Sequence, residues 1–516
     1  MKTFLKFSVV CLFLLSIVSC TEKQVGNSLP RSTPEAEGVS SQAILTFLDS
    51  AAANIDTEFH SFMFIRHGKV IAEGWWNPFA SELKHTLYST SKSFTSTAIG
   101  LAISENKLSL DDKLISFFPE YLPDAVSENL SNVKIRDLLS MTVGQPRESS
   151  SAEAGWVKAF LEVPVENEPG TIYRYSSLAT YMLSAIVQKV TGEKVIDYLT
   201  PRLFTPLAIN GADWETSPEG INTGGWGLRL KTEDLAKFGL LYLNKGEWNG
   251  KQILPKSWVE DATSVKTYQN PSLTEAQRDS VNDSMQGYCY QFWRARNNSY
   301  MANGAFGQFV LVMPEKDVVI ILTAESSDMW GELDMVWKYL YPGIMDKPLP
   351  ANENKASELK NRLASLSLPV PEKTSNEAIS SLISGKTITL AENQRQIQSM
   401  SLQFNNNLCL LNLKTDMGEY NLTFASGSWQ FGETNMRGPN LFARSANNQI
   451  GLPPFKIAGA YTWNEDQSLE LTLRYIDGMH SQKYIFRFGD NNNALINIID
   501  SNSFRLTPPA IEATIQ

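Results

Sequence analysis

Ser89 and Lys92 stand three residues apart in the run Tyr88-Ser89-Thr90-Ser91-Lys92-Ser93-Phe94. Side chains at that spacing share one face of a helix, so an ammonium at 92 can reach a hydroxyl at 89. A lysine desolvated there loses its proton near neutral pH and can take the serine's, leaving an activated oxygen nucleophile. The following residues predict the helix this requires. Phe94, Ala98, Leu101 and Ala102 recur on one stripe, while Ser96, Thr97 and Gly100 keep the other sides narrow enough to pack all round. Ser89 falls at the N-cap or in the first turn, where backbone N–H groups and the positive end of the helix dipole face outward.

By itself the pattern is weakly specific. Ser81/Lys84, Ser104/Lys107, Ser131/Lys134 and Ser357/Lys360 match it too, in polar surroundings that read as solvated faces. Downstream partners set Ser89 apart. Tyr175-Ser176-Ser177 sits just ahead of a helical pattern (Leu178, Met182, Ala185, Ile186, Val190), a place from which Tyr175 can point into a cleft. Ala302-Asn303-Gly304 leads into the strand-like run Phe309–Met313. His85, four residues before Ser89, has no well-placed acidic partner and reads as structural, and His67 precedes Gly68 in a turn.

The elements that must position these residues follow from periodicity. A helix is expected around Ile44–Ala52, and Ser61–Arg66 with Lys69–Trp75 reads as a hairpin. Phe309–Met313 and Val318–Thr323, joined across Pro314–Asp317, read as a second. Two hairpins flanking a mostly helical middle predict an α+β domain whose antiparallel sheet is built from both ends of one segment. Pro342–Pro371 reads as a helix between proline-bearing linkers. Beyond it the period changes to two: Tyr420/Leu422/Phe424, Leu469/Leu471/Leu473/Tyr475 and Tyr484/Phe486/Phe488 alternate. Residues 376–516 are therefore expected to form a separate, smaller all-β sandwich or barrel.

At 516 residues, with 42% hydrophobic and 19% charged side chains, the chain can bury two cores. A net charge of −10 and the lack of any basic run exclude nucleic acid as a natural partner. Four histidines and no H-E-x-x-H make a histidine-rich metal site an unsuitable reading, and no cofactor is implied. Residues 1–20 have the form of a secretory signal: Lys2 and Lys6, then an apolar run over Phe7–Val18 that is too short to span a bilayer. Ile17-Val18-Ser19-Cys20 resembles a bacterial lipobox, which implies acylation of Cys20. The expected partner is then a membrane, reached through that lipid anchor, and the expected location is the cell envelope, periplasmic or outer membrane. Cys289 and Cys409 lie far apart, so no disulfide framework is expected.

Taken together, Ser89-Thr90-Ser91-Lys92, Tyr175-Ser176-Ser177 and Ala302-Asn303-Gly304 resemble the three motifs of the serine β-lactamase-related hydrolases. The likeness is to the branch of class C β-lactamases, esterases and aminohexanoate-oligomer hydrolases. It covers roughly 35–345, and Gly224-Gly225-Trp226-Gly227 and Gly304-Ala305-Phe306-Gly307-Gln308 are also similar to that branch. The resemblance implies a β-lactamase/transpeptidase-like domain over 35–345, a linker over 346–375 and an all-β accessory domain over 376–516. It implies Ser89 as acylated nucleophile, Lys92 as its activating neighbour and Tyr175 as general base partner, its pKa lowered by Lys92. The oxyanion hole would come from the N–H groups of Ser89 and Ala305, with Ser177, Asn303 and Gly304 lining the substrate. Such a site takes a small ester, amide or peptide-like substrate.

Two departures bear on substrate. Position 177 is serine where the family has asparagine, and Ala302 replaces the lysine or histidine that opens the third motif. No S-D-N, K-T-G or G-x-S-x-G occurs, which disfavours class A β-lactamase chemistry and an α/β-hydrolase elbow. A non-catalytic penicillin-recognition-like binding protein, a cell-envelope interaction module, and a true β-lactamase or D-alanyl peptidase remain as alternatives. Covalent labelling by a fluorophosphonate or a penicillin separates them.

Overall fold

The computed structural model describes residues 28–503 and 507–516. The signal sequence and Cys20 lie outside the described residues. Among the described residues no helix is long and apolar enough to cross a membrane.

Six strands form the sheet of the first domain: β1 (Thr57–Arg66), β2 (Lys69–Trp75), β3 (Trp293–Ala295), β4 (Ser299–Gly304), β5 (Gln308–Met313) and β6 (Val318–Ser326). Their spatial order is β2-β1-β6-β5-β4-β3, antiparallel throughout. The N-terminal hairpin thus pairs with the C-terminal one along β1 and β6, with Phe64 opposite Ile320. Both faces are covered, so β5 is buried at every residue and after Gln308 reads as a continuous apolar run rather than an alternation. One face carries α1 (Ser41–Ala53) through Ile44, Phe47 and Leu48. The other carries α4 (Thr232–Leu243) and the helical middle, including α2 (Ser91–Ser104) and α3 (Ser177–Thr191).

α2 is the axis of that middle. Every residue from Ser91 to Ala102 is buried. Its hydroxyls satisfy backbone carbonyls that would otherwise be orphaned: Ser93 donates to Gln291 O at 2.7 Å, Ser96 to Tyr290 O at 2.8 Å and Thr95 to Gly224 O at 2.9 Å. A small polar helix can therefore sit in the core at no cost in unpaired groups.

The second unit is a closed barrel. Its strands are β7 (Thr387–Leu390), β8 (Ile397–Asn405), β9 (Leu408–Thr415), β10 (Gly418–Ser426), β11 (Gln430–Thr434), β12 (Phe455–Trp463), β13 (Leu469–Tyr475), β14 (Ser481–Phe488), β15 (Asn493–Asp500) and β16 (Ile511–Ile515). A short parallel pairing of β10 with β12 (Ala425 opposite Ala460) closes nine of them into a ring and leaves β11 paired on β12. Closure removes the exposed edges that an open sheet would carry. Leu422, Phe424, Leu469, Leu471, Leu473, Tyr484 and Phe486 fill its interior.

The outer face of the barrel is not solvent-facing everywhere. Trp429, Ala458, Ala460 and Ile476 join the core of the first domain around Phe59, Phe62, Trp76 and Phe79. Residues 346–375 contribute α5 (Glu353–Ala364), and Leu359, Leu366 and Leu368 enter the same core. Arg474 of β13 makes a bidentate pair with Glu58 of β1 at 2.5 and 3.0 Å. Hydrolase-like domain and barrel share one apolar interface.

Candidate active site

A single turn of 3-10 helix, Tyr88–Thr90, precedes α2 and carries Ser89 at its centre. Ser89 makes no capping hydrogen bond, and Thr90 occupies the N-cap of α2. Its oxygen is therefore not committed to the backbone, and it accepts a hydrogen bond from Lys92 Nζ at 3.1 Å. Thr90 anchors the turn by donating to Gln308 O at 3.0 Å, across to the β4–β5 hairpin.

Lys92 is 1% exposed. Its Nζ lies 3.1 Å from Ser177 Oγ and 2.7 Å from Gly225 O. Burial pushes its pKa down from 10.5 to about 7, and the Glu148 carboxylate partly opposes that shift. A neutral amine has two N–H bonds and one lone pair. Gly225 O can only accept, so three partners leave the lone pair for a serine hydroxyl. Gly225 has to be glycine here, because a Cβ would come within 2.6 Å of Ser177 O.

Tyr175 lies just before α3, whose N-cap Ser176 accepts from Ala179 N at 3.1 Å. Glu148, from the polar loop after Gly144, accepts from Leu178 N at 2.8 Å. That carboxylate pins the helix start and places a negative charge near Lys92. The Tyr175 ring packs against Tyr288 and Trp293, with Lys92 Nζ 4.8 Å from its centroid. The expected lowering of its pKa by Lys92 is not found. Crowding around the hydroxyl raises it well above its usual value, and a hydrogen bond with Ser89 offsets only part of the rise. A lysine poised near neutrality does not supply the full positive charge that would favour a phenolate.

Ser177, the first residue of α3, keeps a polar contact to Lys92 despite being shorter than the family's asparagine. Gly304, at the end of β4, presses on the nucleophile turn so closely that a Cβ would meet Leu87 O at 2.1 Å. Asn303 is buried at the end of the same strand, and Ala305 is partly exposed in the turn that follows. Ala302 faces the helical core with Leu87 and Phe94 nearby in the same cluster. Arg229, two residues after the Gly224-Gly225-Trp226-Gly227 turn, supplies no free cation in place of the missing one: it is wholly buried and bound at 2.6 and 2.9 Å to Asp213. His85 is not part of the site. It is buried against His60 at 2.8 Å and donates to Thr86 O at 2.9 Å, with its pKa held well down by burial.

Sequence reading passed over Glu148 and the residues contributed by the barrel. Phe442 stacks on Trp226 at 4.1 Å and 12°. Asn447 donates to Glu215 Oε2 at 2.7 Å, beside Trp226 Nε1 at 3.2 Å. Ser445 donates to Ser151 Oγ at 2.6 Å. A strap over 438–452 thus lies against the helical middle.

The family model described as Beta-lactamase matches residues 55–334, more than half the chain. The chain belongs to the beta-lactamase family. A curated relative, the 6-aminohexanoate-dimer hydrolase of Paenarthrobacter ureafaciens, is 25% identical over 341 residues, which is 61% of this chain and 84% of the relative. Among solved structures, EstCE1, a hydrolase with promiscuous acyltransferase activity, aligns over 58% of this chain and 99% of its own at 16% identity and a TM-score of 0.47. The octameric penicillin-binding protein homologue from Pyrococcus abyssi aligns over 92% of this chain and 99% of its own at 16% identity, with a TM-score of 0.46. Family membership makes the chain a beta-lactamase-fold hydrolase, and its three motifs meet at one place: Ser89 and Lys92 on the α2 turn, Tyr175 and Ser177 at the start of α3, and Gly304 on β4.

Proposed function

We propose that this protein is a serine hydrolase that cleaves an ester or amide through an acyl-enzyme on Ser89. The observation that carries the reading is Lys92, a buried amine with its pKa near 7 and a 3.1 Å hydrogen bond to Ser89 Oγ. A general base works best when its pKa lies near the operating pH. Neutral Lys92 takes the Ser89 proton as Oγ bonds to the substrate carbonyl carbon, and the carbonyl π pair moves onto oxygen. The N–H groups of Ser89 and Ala305 receive that oxyanion. Collapse expels the alcohol or amine, which takes a proton from the Lys92 ammonium or through the Tyr175 hydroxyl. Water then attacks the acyl carbon by the same route and Ser89 regains its proton. Tyr175 stays protonated in this scheme, as donor and relay.

The substrate class follows from charge. Ala302 offers no cation where relatives hold a carboxylate, and Arg229 is committed to Asp213. A desolvated ion pair of that kind is worth a few kcal/mol. The site therefore suits an ester or a linear amide with an uncharged group beside Asn303 and Gly304. The relative from Paenarthrobacter ureafaciens is, by its name, a hydrolase of the 6-aminohexanoate dimer. The lipobox-like Ile17-Val18-Ser19-Cys20 supports a separate part of the proposal, that a lipid on Cys20 holds the enzyme in the cell envelope. Incubation with a fluorophosphonate followed by mass spectrometry tests the nucleophile: the adduct is expected on the Ser89 peptide and lost in Ser89→Ala. Labelling that survives Ser89→Ala refutes it. Turnover of p-nitrophenyl butyrate is expected to exceed that of nitrocefin, and efficient nitrocefin hydrolysis without esterase activity refutes the substrate class.

A further inference from the structure

Two residues with uncommon backbone geometry flank the two groups assigned above to the oxyanion hole. Tyr88, just before Ser89, has φ +44°, and Phe306, just after Ala305, has φ +65°. Bulky residues rarely hold such angles unless their surroundings over-determine them. Both side chains converge on one turn of the barrel, Tyr475–His480, which joins β13 to β14.

His480 is the point of contact. Its Nε2 lies 2.7 Å from the Tyr88 hydroxyl, from a position 392 residues away in the chain. Its ring meets Phe306 edge to face, centroids 5.0 Å apart at 88°. Its Nδ1 lies 2.6 Å from Glu325 Oε1 on β6. The hydrogen bonds order themselves without conflict. Nδ1–H donates to the carboxylate, so Nε2 accepts the Tyr88 O–H, and the Tyr88 oxygen accepts from Leu441 N at 3.1 Å. The turn is held on both sides of this ring. Thr86 N donates to Gly478 O at 3.4 Å, two residues before Tyr88, and Met479 packs in one apolar cluster with Tyr88 and Phe306. Ser326 N donates to Phe306 O at 3.0 Å, fixing the other flank to the sheet.

We propose that the barrel is part of the catalytic apparatus: His480, acting through Tyr88 and Phe306, sets the spacing of the Ser89 and Ala305 N–H groups. This rests on the acyl-enzyme reading of Ser89. His480 is a positioning residue, since it touches the neighbours of the oxyanion donors and not the reacting atoms. An oxyanion hole stabilises charge only when both donors converge on one point, so a small drift of either flank costs turnover and leaves ground-state binding nearly intact.

The test uses the full-length protein with a p-nitrophenyl ester, fluorophosphonate labelling and thermal unfolding. His480→Ala is expected to lower kcat about 30-fold or more with KM within about threefold, a displacement of the donors costing less than the roughly 10²–10³-fold that follows outright loss of one. His480→Gln, which keeps an acceptor for the tyrosine hydroxyl, is expected to recover most of kcat. Tyr88→Phe keeps the ring, removes the hydroxyl, and should reproduce the His480→Ala loss without adding to it in the double variant. Wild-type kcat in a folded His480→Ala, or a loss confined to KM, overturns the proposal. If His480→Ala does not fold, Tyr88→Phe decides alone, and undiminished kcat there overturns it. Wild-type protein that takes no label at Ser89 overturns the acyl-enzyme reading and this inference with it. Labelled wild type with undiminished variants overturns this inference alone.

Discussion

Replacing Lys92 by arginine keeps a long cation in the site and removes its ability to lose a proton, since a guanidinium stays charged throughout the accessible pH range. The native lysine sits at about 7 instead of 10.5, a shift of about 3.5 units, or about 5 kcal/mol against the charged form. At pH 7.5 such a group is neutral in roughly three molecules out of four, where an ordinary lysine would be neutral in about one in a thousand. Lys92→Arg should therefore lose at least about 10³-fold in kcat/KM, the share of the rate that depends on a free amine. Wild-type kcat/KM for a neutral ester should rise with pH along a limb centred near 7 and then level off, because the neutral form is the active one. The limb should be absent in the variant. Stopped-flow or plate-based ester hydrolysis between pH 5 and 10, with acylation followed by fluorophosphonate labelling, measures both. A wild-type limb near pH 10, or a Lys92→Arg protein retaining a tenth of the activity, would refute lysine as the base and return the role to Tyr175.

Glu148→Gln keeps an acceptor for Leu178 N and removes the charge that supports the Lys92 ammonium, so the acidic limb should move to lower pH; an unmoved limb would mean the carboxylate acts only as a helix cap. Gly304→Ala puts a Cβ against backbone, 2.1 Å from Leu87 O, and should cut ester turnover by about 100-fold or more in a protein that still folds, as measured by kcat and circular dichroism. Glu215 is buried with its pKa pushed up to about 7 from 4.5, so the native state binds the extra proton between those values and stability should fall as pH rises from about 5 to 7. Glu215→Gln should flatten that part of a Tm-against-pH curve, and an unchanged slope would assign it to other groups. Cys20→Ala should abolish detergent-phase partitioning of the exported protein, and persistence there would locate the anchor elsewhere.

Much of the first domain was legible because its signals are local. Ser89, Lys92, Tyr175 and Gly304 sit in short motifs next to periodic helices and strands, and periodicity is set by backbone geometry that every residue carries. The two hairpins and the period-two alternation of the second unit were readable for the same reason, and the alternating residues do fill its interior. The choice between sandwich and barrel was not, since it turned on the pairing of β10 with β12, a two-residue contact with no sequence signature. The state of Lys92 and Tyr175 was also out of reach. A pKa depends on how completely neighbours exclude water, and those neighbours (Glu148, Gly225, Trp293) come from three separate segments. His480 shows the limit most plainly. In the sequence it is one histidine after a Gly-Met pair, with no motif around it. Only the folding of the barrel onto the sheet, through Trp429, Ala458, Ala460 and Ile476, carries it to Tyr88, because an interface between two apolar faces fixes partners that no spacing along the chain can encode.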